Sequence, residues 1–137
     1  MPSVHHVLET ALYCDDVSRA AAFYRHTLGL QTLFEDRRLA ALDAGRETVL
    51  LLFRRGASTD GVPTPGGRIP GHDGSGPLHV AFAVPQADLS EWEARLAAQG
   101  VAIESRVTWG RGGRSLYFRD PEGHSVELVS PGVWTTY

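Results

Sequence analysis

The 137-residue chain contains only one cysteine, Cys14. A single cysteine cannot form a disulfide within the chain, and the absence of a Cys-x-x-Cys pair excludes a zinc site or a dithiol redox centre of that type. Any metal ion that this protein binds must therefore be held by nitrogen and oxygen ligands.

Runs of like charge and long apolar stretches are also missing. The net charge is −3 and the pI is near 6.0, and no basic stripe of the kind that binds phosphate backbones is present. We therefore expect no nucleic-acid partner. No apolar run reaches transmembrane length, and the N-terminal residues lack the pattern of a signal peptide, so we predict a cytoplasmic protein without a membrane partner.

What is present suffices for one compact unit. With 42% hydrophobic residues, a chain of this length can bury one core but is short for two conventional domains. We expect one domain over residues 1–137, made of a first module (about 5–54), a Gly/Pro-rich linker (55–77), a second module (78–131) and a C-terminal tail.

The first module shows a strand, a helix and three further strands. Asp15 and Asp16 are typical of a helix start, and Gly29 is typical of a helix end. Hydrophobic spacing predicts a helix over 17–28 and strands over 5–14, 30–35, 38–43 and 47–53.

The second module repeats this order. It predicts a strand over 78–84, a helix over 88–99 and strands over 101–107, 115–119 and 125–130. Asp88 and Glu91 have the spacing of a capping box, and Gly100 ends the helix. Glu9 precedes Gly29 by 20 positions and His79 precedes Gly100 by 21, so Glu9 and His79 occupy equivalent positions of a duplicated βαβββ module.

His79 lies in a strand whose large and small side chains alternate. Val80, Phe82 and Val84 form one row, whereas His79 shares the other with Ala81 and Ala83. The small neighbours leave open space beside the imidazole, which favours a ligand role in a concavity. A strand histidine satisfied by a simple hydrogen bond is the alternative.

Glu127 shows the same pattern in the final strand, because Val126 and Leu128 lie on the opposite face. A carboxylate among apolar neighbours needs a partner, since an unpaired buried charge is costly. A metal ion would neutralise Glu127 directly. The alternative is a rim glutamate or one paired with Arg119 or Arg106.

Glu9 is the third candidate ligand, although Ala11 and Tyr13 share its side of the strand. His5 has the same parity, whereas His6 faces the other way. Three ligands from separate strands would leave coordination positions open for substrate, as catalytic metal sites require.

Four segments together resemble the vicinal oxygen chelate superfamily, which includes glyoxalase I, fosfomycin-resistance thiol transferases, extradiol dioxygenases and bleomycin-binding proteins. The resemblance rests on Glu-Thr-Ala-Leu-Tyr-Cys-Asp-Asp from residue 9, Ala-Phe-Tyr-Arg-His-Thr-Leu-Gly-Leu from 22, His-Val-Ala-Phe-Ala-Val from 79, and Tyr-Phe-Arg-Asp-Pro-Glu-Gly-His-Ser-Val-Glu-Leu from 117.

This resemblance implies an α+β fold in which two βαβββ modules form paired curved sheets around a cleft. It also implies a small-molecule substrate, a homodimer, and a divalent metal ion such as Zn, Mn, Fe or Ni. The family's ligand positions match His79 and Glu127. Glu9 departs from the family, where histidine or glutamine is usual, and a carboxylate there favours a harder cation.

Each of the family's chemistries makes a different demand on the chain. Glyoxalase I needs a fourth ligand, and counting from Gly45 places Val49 there, although Glu47 has the same parity and would serve in a shifted register. Extradiol dioxygenases need two histidines and one carboxylate, the reverse of the ratio here. Fosfomycin transferases need a phosphonate-binding cation, for which only Arg106 or Arg114 is available.

Two hypotheses of different classes follow. A metal-dependent lyase or thiol transferase would use Glu127, Glu9 or Tyr117 to move a proton, with Glu127 and Tyr117 as catalytic residues. A metal-free binding protein would instead hold an aromatic ligand. For either one, the expected substrate-contacting residues are Tyr13, Trp109, Ser115 and Tyr117.

Two remaining segments carry weaker expectations. We predict that the linker is an exposed connection, although Arg68, His72 and Asp73 are able to cap the cleft. The tail contains Trp134 and Tyr137, which are too apolar to be wholly solvated, so we expect both to pack, against the chain or a second subunit.

Overall fold

The computed structural model describes all of residues 1–137. The chain divides into two compact units, Met1–Ser75 and Gly76–Tyr137. The first contains β1 (Glu9–Cys14), α1 (Val17–Phe23), β2 (Gln31–Glu35), β3 (Leu39–Gly45), β4 (Thr48–Arg54), β5 (Val62–Thr64) and β6 (Gly67–Ile69). The second contains β7 (His79–Ala83), α2 (Leu89–Ala98), β8 (Ser105–Thr108), β9 (Arg114–Arg119) and β10 (Ser125–Val129).

Each unit contains its own four-stranded sheet, and the two sheets have equivalent strand orders. The order is β1-β4-β3-β2 in the first and β7-β10-β9-β8 in the second. In each sheet the strand before the helix pairs in parallel with the last strand of the module, and the other pairs are antiparallel. The predicted α+β fold of two βαβββ modules is confirmed.

Helix α1 begins and ends as its sequence predicts, but its last turn is wider. The Asp16 side chain accepts a hydrogen bond from the Arg19 amide at 3.0 Å, and Gly29 adopts a left-handed conformation with φ of 76°. Between them, Tyr24–Leu28 forms a π-helical turn. This turn rotates the end of the helix, so Thr27 is buried while Leu28 is only half-buried.

The predicted capping box of α2 is wrong. Asp88 ends a short 3₁₀ turn, Gln86–Asp88, and has φ of −90° and ψ of −8°. An N-cap side chain reaches the helix amides from an extended backbone, which Asp88 does not have. Its carboxylate therefore makes no cap hydrogen bond.

Two strands begin four residues later than predicted. β1 begins at Glu9, so His5 and His6 precede the sheet and are exposed. β8 begins at Ser105 instead of residue 101, because Val101 still bonds to the end of α2 through its amide and the Leu96 carbonyl.

The Gly/Pro-rich segment contains regular structure that its composition did not predict. Strands β5 and β6 form a two-stranded hairpin, and Ser58 is buried although it lies in this segment. Residues 55–75 belong to the first compact unit.

The two large residues of the tail differ in their packing within the chain. The Tyr137 hydroxyl donates to the Val129 carbonyl at 3.0 Å, so Tyr137 packs as predicted. Trp134, in contrast, is 72% exposed.

No helix in the structure has the length and apolar character needed to cross a membrane.

Candidate functional site

A polar cluster occupies one face of the second sheet. On β7, His79, Ala81 and Ala83 are exposed, whereas Val80 and Phe82 are half-buried. The alternation predicted for this strand is thus present, with His79 on the open face beside two alanines.

The pairing of β10 with its two neighbouring strands places the other residues of the cluster next to Glu127. Glu127 lies opposite Tyr117 of β9 and opposite Ala81 of β7. Ser115 is two residues before Tyr117 and faces the same way. Because Ala81 carries only a methyl group, the imidazole of His79 has room to approach the carboxylate diagonally.

His79 and Glu127 face each other through two atoms that can both bind a cation. His79 Nε2 lies 3.3 Å from Glu127 Oε1, and its Nδ1 lies 3.0 Å from the Ser125 carbonyl oxygen. A carbonyl cannot donate, so Nδ1 carries the hydrogen, and the Nε2 lone pair of the neutral ring points at the carboxylate. Two lone pairs at this distance repel unless a proton or a metal ion neutralises them.

A hydrogen-bond chain fixes the other oxygen of Glu127. Ser115 Oγ lies 2.6 Å from Glu127 Oε2, and the Trp109 indole Nε1 donates to Ser115 Oγ at 2.8 Å. Glu127 is 7% exposed and Ser115 is 1% exposed, so this chain is shielded from water. By contrast, the His79 side chain is 53% exposed, which makes the cluster accessible from solvent.

Tyr117 completes the cluster, opposite Glu127 in the sheet. Burial raises the pKa of Tyr117, and the charge of Glu127 and a hydrogen bond to that carboxylate raise it further, against a smaller opposing effect of Ser115. The phenol therefore stays protonated at neutral pH. This favours Tyr117 as a proton donor and disfavours it as a base.

The bonding of His79 and Glu127 suits each of them to act as one ligand of a divalent metal ion. An imidazole whose other nitrogen donates to a carbonyl, next to a carboxylate held by a hydroxyl, has the supporting bonds that metal ligands usually have. Two ligands do not complete a site, and the structure contains no group of three or more His, Cys, Asp or Glu side chains able to hold a metal.

The arginines proposed as alternative partners bind elsewhere. Arg119 forms a bidentate pair with Glu104, and Arg106 forms one with Glu93 of α2. Arg114 lies on the same side of β9 as the buried Leu116, where its charge acts on Glu93. Neither Arg106 nor Arg114 is on the face that carries His79 and Glu127.

The first unit lacks a matching cluster. Glu9 is exposed at the start of β1, opposite Val49 of β4. Because His79 pairs with Ser125 in the second sheet, the counterpart of Glu127 is Leu51, two residues after the position obtained by counting from Gly45. No ligand is present at either residue.

Tyr13 lies in the first unit within a cluster of aromatic rings. Its hydroxyl is 2.7 Å from His72 Nδ1, and the rings of Tyr13 and Phe53 stack with centroids 6.0 Å apart. The His72 ring contacts Phe53 edge-on at 4.5 Å. His72 is thus part of this cluster and not of an exposed connection, contrary to the expectation for the linker.

The sequence predicts Trp109 and Ser115 as substrate contacts and does not predict their hydrogen bonds toward Glu127. The glycines between residues 110 and 113 predict a turn that brings the two together, but no pattern in the sequence gives the direction of the indole N–H.

Comparisons with known proteins agree with this architecture. The family model of the glyoxalase/bleomycin resistance protein/dioxygenase superfamily matches residues 3–128. A solved structure of lactoylglutathione lyase from Agrobacterium tumefaciens is 33% identical, with a TM-score of 0.88, and the match covers 98% of this chain and 99% of that chain.

Two curated proteins are also similar. The protein YwkD of Bacillus subtilis is 31% identical over 135 residues, which cover 93% of this chain and 96% of YwkD. Metallothiol transferase FosB of Bacillus licheniformis is 40% identical over 57 residues, which are 41% of this chain. That match spans only 37% of the length of FosB.

Proposed function

Because the chain belongs to the glyoxalase/bleomycin resistance protein/dioxygenase superfamily, we propose that it is a metal-dependent lyase of the glyoxalase type. Its substrate is a small molecule bound through one or two oxygen atoms. The observation that carries the proposal is the approach of His79 Nε2 to Glu127 Oε1, with the other polar atom of each side chain already bonded.

Each residue of the cluster has a role in this proposal. In this proposal His79 and Glu127 would hold the cation, and Glu9 is proposed as a third ligand because the sequence places it at the position equivalent to His79. A divalent cation supplies Lewis-acid polarisation of a substrate carbonyl when it is bound. Glu127 accepts a proton from the substrate, and the protonated phenol of Tyr117 donates one to a developing oxyanion.

The partial match to FosB favours thiol transfer as a second candidate. A phosphonate substrate would need a cationic side chain on the face of the cluster. On β9 the arginine of that face is Arg119, which is paired with Glu104 and also donates to the Gly123 carbonyl. The cluster therefore supports lyase chemistry better than transfer to a phosphonate.

Metal binding tests the proposal directly. Protein stripped with a chelator is titrated calorimetrically with Mn²⁺, Co²⁺, Ni²⁺ and Zn²⁺, and formation of the lactoylglutathione thioester from methylglyoxal and glutathione is followed through its absorbance. We expect one ion per chain, and His79→Ala, Glu127→Gln and Glu9→Gln should each weaken binding by more than about tenfold.

The control is Glu91→Gln, an exposed carboxylate on α2 that should leave binding unchanged. Absence of stoichiometric binding by any of the four ions would refute the metal-dependent function. Retention of full affinity in Glu9→Gln alone would remove Glu9 from the ligand set and leave His79 and Glu127 in place.

A further inference from the structure

We propose that Trp109 and Ser115 form a positioning relay that sets the orientation of the Glu127 carboxylate and thereby the metal affinity of the site. This inference rests on the proposed function. It concerns residues that do not themselves bind the cation, and it assigns them a task different from substrate contact.

The direction of the relay follows from hydrogen-bond chemistry. The indole N–H of Trp109 is a donor only, so Ser115 Oγ is the acceptor in that contact, at 2.8 Å. The single hydroxyl hydrogen of Ser115 is then left for Glu127 Oε2, at 2.6 Å. A hydroxyl that donates to a carboxylate at this distance forms a charge-assisted bond, which is stronger than a neutral one.

The backbone holds Trp109 firmly at the start of the β8–β9 turn. Its amide bonds to the Gly113 carbonyl at 2.8 Å, and the Gly112 amide bonds to the Trp109 carbonyl at 2.9 Å. Gly113 in turn donates to the Gly132 carbonyl, and a Cβ atom on Gly113 would lie 2.7 Å from the carbonyl carbon of Gly132. The indole therefore extends from an anchored turn.

The consequence for Glu127 is that its two oxygens have separate tasks. Oε2 is bound to Ser115, so Oε1 is the oxygen directed at His79 Nε2. Without Ser115 the carboxylate gains freedom to rotate, and without the indole the serine hydroxyl gains freedom to turn away. Loss of such supporting bonds typically weakens metal binding about 10–100-fold.

Calorimetric titration of Mn²⁺ and Co²⁺ into metal-free protein tests the relay. We expect Ser115→Ala to weaken binding about 10–100-fold and Trp109→Phe to weaken it about tenfold. The double variant should bind no more weakly than Ser115→Ala, because the indole acts only through the serine. The matched controls, Ser105→Ala on exposed β8 and Trp92→Phe on α2, should bind like the wild type.

Wild-type affinity in Trp109→Phe would overturn the proposal, as would a double variant in which the two losses multiply. The Co²⁺ absorption spectrum provides a readout that general destabilisation does not change. It should shift in Ser115→Ala, because the coordination of Glu127 changes, and stay as in the wild type in Ser105→Ala.

A second measurement uses metal-free protein, so that the relay can be judged even if the wild type binds no ion. The indole N–H of Trp109 should be protected from solvent exchange in NMR spectra, and should lose this protection in Ser115→Ala. It should also shift in Glu127→Gln, while the signal of the exposed Trp134 stays fixed. Exchange of the Trp109 N–H as fast as that of Trp134 would contradict the relay, whether or not the protein binds a metal ion.

Discussion

The surroundings of Glu127 show how a carboxylate can be buried in a small sheet. It is 7% exposed, and it accepts a hydrogen bond from Ser115 while it lies opposite Tyr117 and faces His79. These contacts offset part of the cost of removing the charge from water. They also determine what each substitution at Glu127 should do to stability.

Two substitutions of Glu127 should separate the effect on stability of losing its charge from the effect of losing its hydrogen-bond acceptor. In metal-free protein, Glu127→Gln keeps an oxygen for Ser115 and offers an N–H to His79 Nε2, so we expect a loss below about 1 kcal/mol. Glu127→Ala leaves the Ser115 hydroxyl without its acceptor and should cost about 1–3 kcal/mol. Urea denaturation measures both, and equal losses would contradict this account of the cluster.

Tyr117 should titrate above the ordinary tyrosine range. Burial and the charge of Glu127 raise its pKa, so Glu127→Gln should bring that pKa down toward the usual value. The stabilisation that goes with the raised pKa is fully present below pH 10 and is lost as the pH rises through the folded-state pKa. Absorbance near 295 nm follows the transition, with Tyr117→Phe as the reference; an unchanged titration curve in Glu127→Gln would count against the contact.

At the scale of elements, the two helices begin differently although their modules share one topology. Asp16 caps α1 through its side chain, whereas Asp88 makes no such bond to α2. Asp16→Ala should therefore lower the free energy of unfolding by about 1 kcal/mol, and Asp88→Ala should change it by less than half as much. Thermal and urea denaturation measure this change for the two variants. Equal losses of unfolding free energy would support the capping box that the sequence predicted.

For the whole molecule, a bound metal ion should stabilise the folded state by mass action. Metal at about 100 times its dissociation constant should add about 2.7 kcal/mol to the free energy of unfolding. The same addition to His79→Ala should have little effect at that concentration. Calorimetric unfolding scans with and without Mn²⁺ make the comparison, and a wild-type curve that does not move would contradict metal binding to the native state.

We also expect a homodimer, as the resemblance to the family implies. Leu33 and Phe34 on edge strand β2 are each more than half exposed, which leaves apolar surface for a second copy to cover. Light scattering coupled to size exclusion should then give twice the 14.9 kDa mass of the chain. A mass of one chain at micromolar concentration would reject the dimer.

The sequence by itself determined the repeated modules and the side of each strand that a residue occupies. Alternation has a period of two and helix spacing a period near 3.6, so these features are local and can be counted. For this reason alternation alone puts His79 and Glu127 on one face of the second sheet, and the helix-ending Gly29 and Gly100 can be identified from the sequence.

Tertiary structure decided what those side chains bond to. The Asp88 cap failed because a 3₁₀ turn changed its backbone, and the counterpart of Glu127 moved from Val49 to Leu51 because strand register depends on pairing. The contact from Trp109 to Ser115 depends on a turn anchored at Gly132. Such contacts join residues through side-chain direction and the pairing of strands, which no local pattern encodes.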